Sequence, residues 1–165
     1  MSVLAGAAAR RALAFLVEPP SDRAGPRRDH ALDVSVVGIS PSSGASTVAH
    51  GLALEMPHSR VRKVAGPVQG AVVVAVADGR GEPVLAGIVA EILAAHNDRL
   101  VLVANRPENP DEWSQKGALC VPASRLGAML VARGRRPMGG MRAALRGLAR
   151  VVGEERADAP GRLTC

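Results

Sequence analysis

The chain has 165 residues, with 21 Lys and Arg against 15 Asp and Glu, for a formal net charge of +6. That length supports one domain with a real core and leaves no room for two of ordinary size. Hydrophobic residues make up 47% and aromatics 1%, so the core must be built from Val, Leu, Ile and Ala. No apolar run approaches the ~18 residues that a membrane-spanning helix needs. Cys120 and Cys165 are isolated and His30, His50, His58 and His96 are scattered, which excludes a disulfide framework and a Cys/His metal cluster.

In chain order, Ser2 to Val17 reads as an Ala-rich helix with Leu4, Ala8, Leu13 and Leu16 as its apolar residues. Arg10 and Arg11 interrupt it where a secretory signal would be uncharged, so a cytoplasmic protein is expected. Residues 18–30 are Pro-rich and charged and read as a tether. The segments are thus residues 1–30, an α/β domain over 31–153, and a polar tail over 154–165. Leu32 to Val37 predicts the first strand and Ser46 to Met56 a helix stopped by Pro57. Val61 to Val64 is a candidate short edge strand. The unbroken run Ala71 to Ala77 has the character of a strand buried on both faces of a parallel sheet, closed by Asp78-Gly79. Pro83 opens a helix whose core face is expected at Leu85, Ile88, Val89 and Ile92. Leu100 to Ala104 is another buried strand. Asn105 to Gly117 reads as a polar loop containing Trp113, Ala118 to Val121 as a short strand and Ala123 to Val131 as a helix. Met138, Met141, Leu145, Leu148 and Val152 mark a last helix at 3-4-3-4 spacing. Strands alternating with helices predict a small parallel sheet flanked by helices, a three-layer α/β sandwich preceded by a helix on a Pro-rich tether.

The segment Val34 to Thr47 carries the chemistry. A buried strand, a Gly/Ser-rich turn and a helix opening on Ser46-Thr47 form the layout of a phosphate-binding loop. Such a loop aims backbone N–H groups at phosphate, a Lys at the outer phosphates and a hydroxyl at Mg²⁺. Here Gly44 takes the glycine before the lysine, Ala45 the lysine position and Ser46 the hydroxyl position, while the nearest match to the first glycine is Gly38. The candidate phosphate contacts are Gly38, Ser42, Ser43, Gly44, Ala45, Ser46 and Thr47. Ser46 and Asp78, the latter ending an apolar strand, are the candidate Mg²⁺ ligands.

The run Val36-Val-Gly-Ile-Ser-Pro-Ser-Ser-Gly-Ala-Ser-Thr-Val-Ala49 resembles the deviant phosphate loop of MinD/ParA-type P-loop ATPases. Laid on that motif, Ser40 and Ala45 stand where the family has its two lysines, and Ser46 where it has its hydroxyl. Ala71 to Leu93 is similar to a late strand–turn–helix of the family, and Cys120-Val-Pro122 to its strand-then-Pro segment. Leu100 to Arg106 is similar to the strand ending in Asn-Arg, which implies that Asn105 reads the base of a bound ATP or other nucleotide. Asn105 to Glu108 also resembles the base-reading motif of GTPases, and equally fits a polar turn. About 14 residues separate the first helix from Ala71, where the family has two more strands with its switch segments. The resemblance implies a P-loop-type fold and, with both lysines missing, a binding or regulatory protein with little or no hydrolysis. An active ATPase borrowing a cation from Arg60, Arg62, Lys63 or a partner is a further reading.

Residues 117–153 hold seven Arg and no Asp or Glu. Arg142, Arg146 and Arg150 recur every fourth residue along the last helix, as a solvated stripe or as a surface for an anionic partner or membrane. The alternative function is therefore a non-catalytic interaction protein that has lost nucleotide and uses this basic third. Nothing marks specific nucleic-acid readout. Ser46 and His50 share a helical face at nucleophile–base spacing, but no third orienting acid accompanies them.

Overall fold

The computed structural model describes residues 32–65, 71–97 and 99–154. The helix and tether expected over residues 1–30, and the tail, lie outside the described residues. Among the described residues ten elements follow one another: β1 (Asp33–Gly38), α1 (Ala45–Glu55), β2 (Arg60–Val64), β3 (Val72–Asp78), α2 (Pro83–Ala94), β4 (Leu100–Asn105), α3 (Pro110–Gln115), β5 (Leu119–Val121), α4 (Arg125–Ala132) and α5 (Gly139–Glu154). The five strands form one sheet in the order β2-β1-β3-β4-β5, and every pairing is parallel. The expected α/β architecture with helices on both faces is observed. No helix among the described residues is long and apolar enough to cross a membrane.

The period-two alternation of strand side chains divides the core into two layers. Val34, Val36, Val72, Val74, Val76, Val101 and Val103 meet Val48 and Leu52 of α1 and Met141, Leu145, Leu148 and Val152 of α5. The opposite face presents Ala75, Ala77, Leu102 and Ala104 to Ala86 and Ala90 of α2 and to Trp113 of α3. β3 is buried along Val72–Ala77, as its unbroken apolar run predicts. The edge strand β2 is present and carries exposed Arg60, Arg62 and Lys63, the charged edge that discourages further pairing.

Three expectations are corrected. Leu85, Ile88, Val89 and Ile92 are exposed, and α2 docks through Pro83, Ala86 and Ala90. The sheet face beneath is largely alanine, so small residues let the helix approach closely. The segment read as a polar loop contains α3, which buries Trp113 to 2% exposure. Met138 stands 65% exposed ahead of α5, whereas Met141, Leu145, Leu148 and Val152 are buried as expected.

Two arginines of the α5 stripe, Arg142 and Arg146, face a carboxylate within the fold while remaining 37% and 61% exposed. Glu55, 6% exposed at the end of α1, has the Nε atoms of Arg136, Arg142 and Arg146 at 3.8, 3.7 and 3.4 Å. At the other end of α5, Arg99 donates to the carbonyl of Val152 at 3.0 Å and to that of Val151, which satisfies terminal acceptors and complements the helix dipole.

Candidate functional site

Three turns converge at the carboxyl ends of the central strands: the β1–α1 loop, the β3–α2 turn and the β4–α3 turn. The chain leaves β1 toward β2 on one side and returns to β3 on the other, so the gap between β1 and β3 is the topological switch point, the usual place for a ligand in such sheets. A cavity of about 380 Å³ opens there, lined by Ser40, Pro41, Asp78, Arg80 and Gly81.

The β1–α1 loop begins with a tight turn. The Ser43 N–H donates to the Ser40 carbonyl at 3.3 Å across Pro41 and Ser42. Pro41 fixes the φ its position requires, while Ser42 is forced to φ 55°, a place where glycine is normally chosen. Ser43 is buried and folds back on β1, so that a Cβ at Gly38 would lie 2.6 Å from its Oγ. Gly44 follows at φ 76° and starts α1 with no side-chain cap. The first-turn N–H groups of Ala45, Ser46 and Thr47 therefore have no side-chain partner of the capping kind. Ala45 is buried, Thr47 half-buried and Ser46 exposed.

The neighbouring turns brace this loop. Asn105, 6% exposed, donates its side-chain amide to the Ser43 carbonyl at 2.8 Å, and a Cβ on Gly44 would collide with that amide. Arg106 donates to the Ser42 carbonyl at 2.6 Å while holding φ 62° itself. Ser42 and Arg106 are the two non-glycine residues with positive φ among the described residues, and they are hydrogen-bonded to each other. The Asp78 N–H donates to Ser40 Oγ at 2.7 Å, tying β3 to the loop. Gly79 lies so close to Pro107 that a Cβ would come within 2.5 Å of its backbone, and the indole N–H of Trp113 donates to the Gly79 carbonyl at 3.0 Å.

Charge at the site centres on Asp78. Its carboxylate accepts from Arg80 Nη2 at 2.7 Å and Nε at 3.1 Å, and Arg106 Nη2 stands 3.4 Å away. The Arg80 side-chain hydrogen bonds hold the Asp78 pKa below its usual range, aided by the Arg80 backbone N–H and the Arg106 charge and opposed by burial.

The structure thus brings together Gly38, Ser42, Ser43, Gly44 and Asn105, with Asp78 beside them. The Asn105 amide that would read a base is committed to Ser43. Asp78 does not fit a Mg²⁺ site, because the cation would sit against two guanidinium groups already paired with its only carboxylate. No cluster of three or more His, Cys, Asp or Glu suited to a metal occurs among the described residues. The residues that line the crevice are Ser40, Pro41, Asp78, Arg80 and Gly81, and Gly44, Ala45, Ser46 and Thr47 at the start of α1 are not among them. Arg60, Arg62 and Lys63 lie on the edge strand, Arg62 pairing with Asp33 at 3.0 Å at the far end of β1. Ser46 and His50 are both exposed on α1. Arg80 and Arg106 are the cations at the loop, and sequence reasoning missed their part in it. Their signal was position, just after the ends of two buried strands.

No known family, curated protein or solved structure matches the chain. Its fold and this crevice define it as a doubly wound α/β protein with its candidate site at the switch point.

Proposed function

We propose that this protein is a non-hydrolysing regulatory module that binds a phosphate-bearing ligand of the nucleotide type at the β1–α1 loop. The observation that carries the reading is the strained pair: Ser42 and Arg106 both hold positive φ and hydrogen-bond each other at the loop. Strain of ~1–3 kcal/mol per residue survives where surrounding structure imposes it, and it clusters at ligand sites. The resemblance of Val36–Ala49 to the deviant phosphate loop of MinD/ParA-type ATPases supports the same ligand class. So do the first-turn amides of α1 and the two arginines in place of the absent lysines. Without a lysine on the loop and with no Mg²⁺ site at Asp78, phosphoryl transfer lacks its charge stabilisation.

Trp113 is the sole tryptophan and its indole is bonded to Gly79, in the turn that abuts the crevice. Its emission is a built-in reporter for titration with ATP, ADP, GTP and inorganic phosphate, with and without Mg²⁺. Saturable binding weakened about tenfold by Arg80→Ala, with no turnover, is the expected result. No response in emission or calorimetry at millimolar nucleotide would sink the proposal. A second reading, an interaction protein that has lost nucleotide, is favoured by the commitment of Asn105 and Ser43 to bracing the loop. An anionic partner on the basic third would then compete with Glu55 for Arg136, Arg142 and Arg146.

A further inference from the structure

Helix α2 is apolar on every side: between Pro83 and Ala94 its only charged residue is Glu91. It buries Pro83, Ala86 and Ala90 against the sheet. Its outer arc carries Val84, Leu85, Ile88, Val89 and Ile92 at exposures of 37–60%. A helix that is apolar all round is expected to be covered on both sides. The acidic residues that flank this arc, Glu82 and Glu91, are both exposed.

We propose that the outer arc of α2 is the docking surface for residues 2–17 of the same chain. That segment lies outside the described residues, and its sequence complements the arc in three ways. At 100° per residue, Leu4, Ala8, Ala12, Phe15 and Leu16 fall within an arc of about 120°, with Arg10 opposite. Of its two charges, Arg10 and Arg11, Arg11 falls about 20° beyond the rim of that arc, opposite in sign to Glu82 and Glu91. It is also within reach. Residues 18–31, about 14 in number, extend to ~46 Å, whereas one strand spacing and one layer separate β1 from α2, about 5 and 10 Å. The parallel strands β1 and β4 begin at the same end of the sheet, and α2 ends just before β4.

A second copy of the chain suits the arc less well. A standard interface needs ~800 Å² and 20–30 residues from each partner, and five side chains on one helix fall short of that. A tethered segment docks at a millimolar effective concentration and is spared the translational entropy loss of association. The inference stands apart from the nucleotide reading, because none of these five residues lines the crevice.

Hydrogen exchange on the full chain tests it, in the wild type, Ile88→Asp and Leu16→Asp. Ile88 is half-exposed and Leu16 lies outside the described core, so both variants should keep the protection of β3 and β4. The expected result is protection of residues 2–17 by tenfold or more over unstructured chain, abolished by either substitution, with every sample monomeric by sedimentation. Residues 2–17 exchanging at unstructured rates in the wild type would overturn the proposal, as would protection that survives both substitutions. A dimer lost on Ile88→Asp but kept on Leu16→Asp would assign the arc to a second copy and overturn it too. Protection gained only on adding anionic vesicles would assign the arc to a membrane surface, with the same consequence.

Discussion

Asn105→Ala separates a structural brace from a ligand reader. The Asn105 amide donates to the Ser43 carbonyl at 2.8 Å, and Asn105 and Ser43 are 6% and 5% exposed. Truncation removes the donor and leaves the buried carbonyl without a partner, a cost of ~1–3 kcal/mol. With a urea m-value of ~1–2 kcal/mol/M, the unfolding midpoint should fall by about 1 M or more. An exposed reader of ligand would cost within ~0.5 kcal/mol on truncation. Asn105→Asp should be at least as costly as Ala, because a carboxylate opposes the Ser43 carbonyl with a second acceptor. Gly44→Ala adds an internal control. Its Cβ collides with the Asn105 amide, and its φ of 76° is unfavourable for alanine. In the Asn105→Ala background the collision is gone and only the backbone term of ~1 kcal/mol remains, so the double variant should cost less than the sum of the singles. Urea unfolding followed by circular dichroism reads all four proteins. An Asn105→Ala variant within ~0.5 kcal/mol of wild type, or strictly additive costs, would refute the brace.

Asp78 sets an acid limit. Its folded pKa is lowered, so its contribution is complete above the unfolded value of ~3.9 and is lost as pH falls through the lower folded pKa. Thermal melts should therefore show a destabilisation below about pH 4 that is shallower in Asp78→Asn. The Arg142→Ala/Arg146→Ala double variant leaves Glu55 with Arg136 at 3.8 Å as the remaining ion-pair contact observed. It should cost about 1–2 kcal/mol in urea unfolding, because a nearly buried carboxylate loses two of its three partly exposed partners, whereas a solvated stripe would lose well under 1 kcal/mol. Trp113→Phe removes the donor to the Gly79 carbonyl and should lower stability by ~1–3 kcal/mol, measured by circular dichroism because the fluorophore is gone.

The parallel sheet was legible because its signal is local. Val72 to Ala77 is apolar at every position and buried at every position, and no other element tolerates that run so well. The helix after the loop was legible from Gly44, Ser46-Thr47 and the stop at Pro57. The inner side of α2 was not, because a helix with one charged residue has no polar face to point outward. Periodicity then favours the bulky Leu85, Ile88 and Ile92, while the alanines of β3 and β4 select Ala86 and Ala90. Helix α3 was hidden by its length of six residues and its polar content, and the residue it buries is Trp113. The bracing of the loop joins Ser43 to a residue 62 positions away, a distance over which sequence pattern carries no information about pairing.

The same distinction governs the charges. The seven Arg in residues 117–153 read as a free basic surface only while Glu55 is out of sight. Once α1 and α5 pack, that one carboxylate draws three of them. At the loop the reverse holds: the sequence there lacks a cation, and the fold supplies Arg80 and Arg106 from other turns. They differ physically from the missing lysine. A lysine on the first turn of α1 is a mobile charge with no competing partner, whereas Arg80 and Arg106 are already engaged with Asp78 and the Ser42 carbonyl. An anion entering the crevice must share those guanidinium groups with Asp78, whose lowered pKa keeps it ionised at neutral pH. Affinity should consequently be modest, fall with salt as partly exposed pairs do, and rise in Asp78→Asn, where the competing charge is removed and the arginines remain.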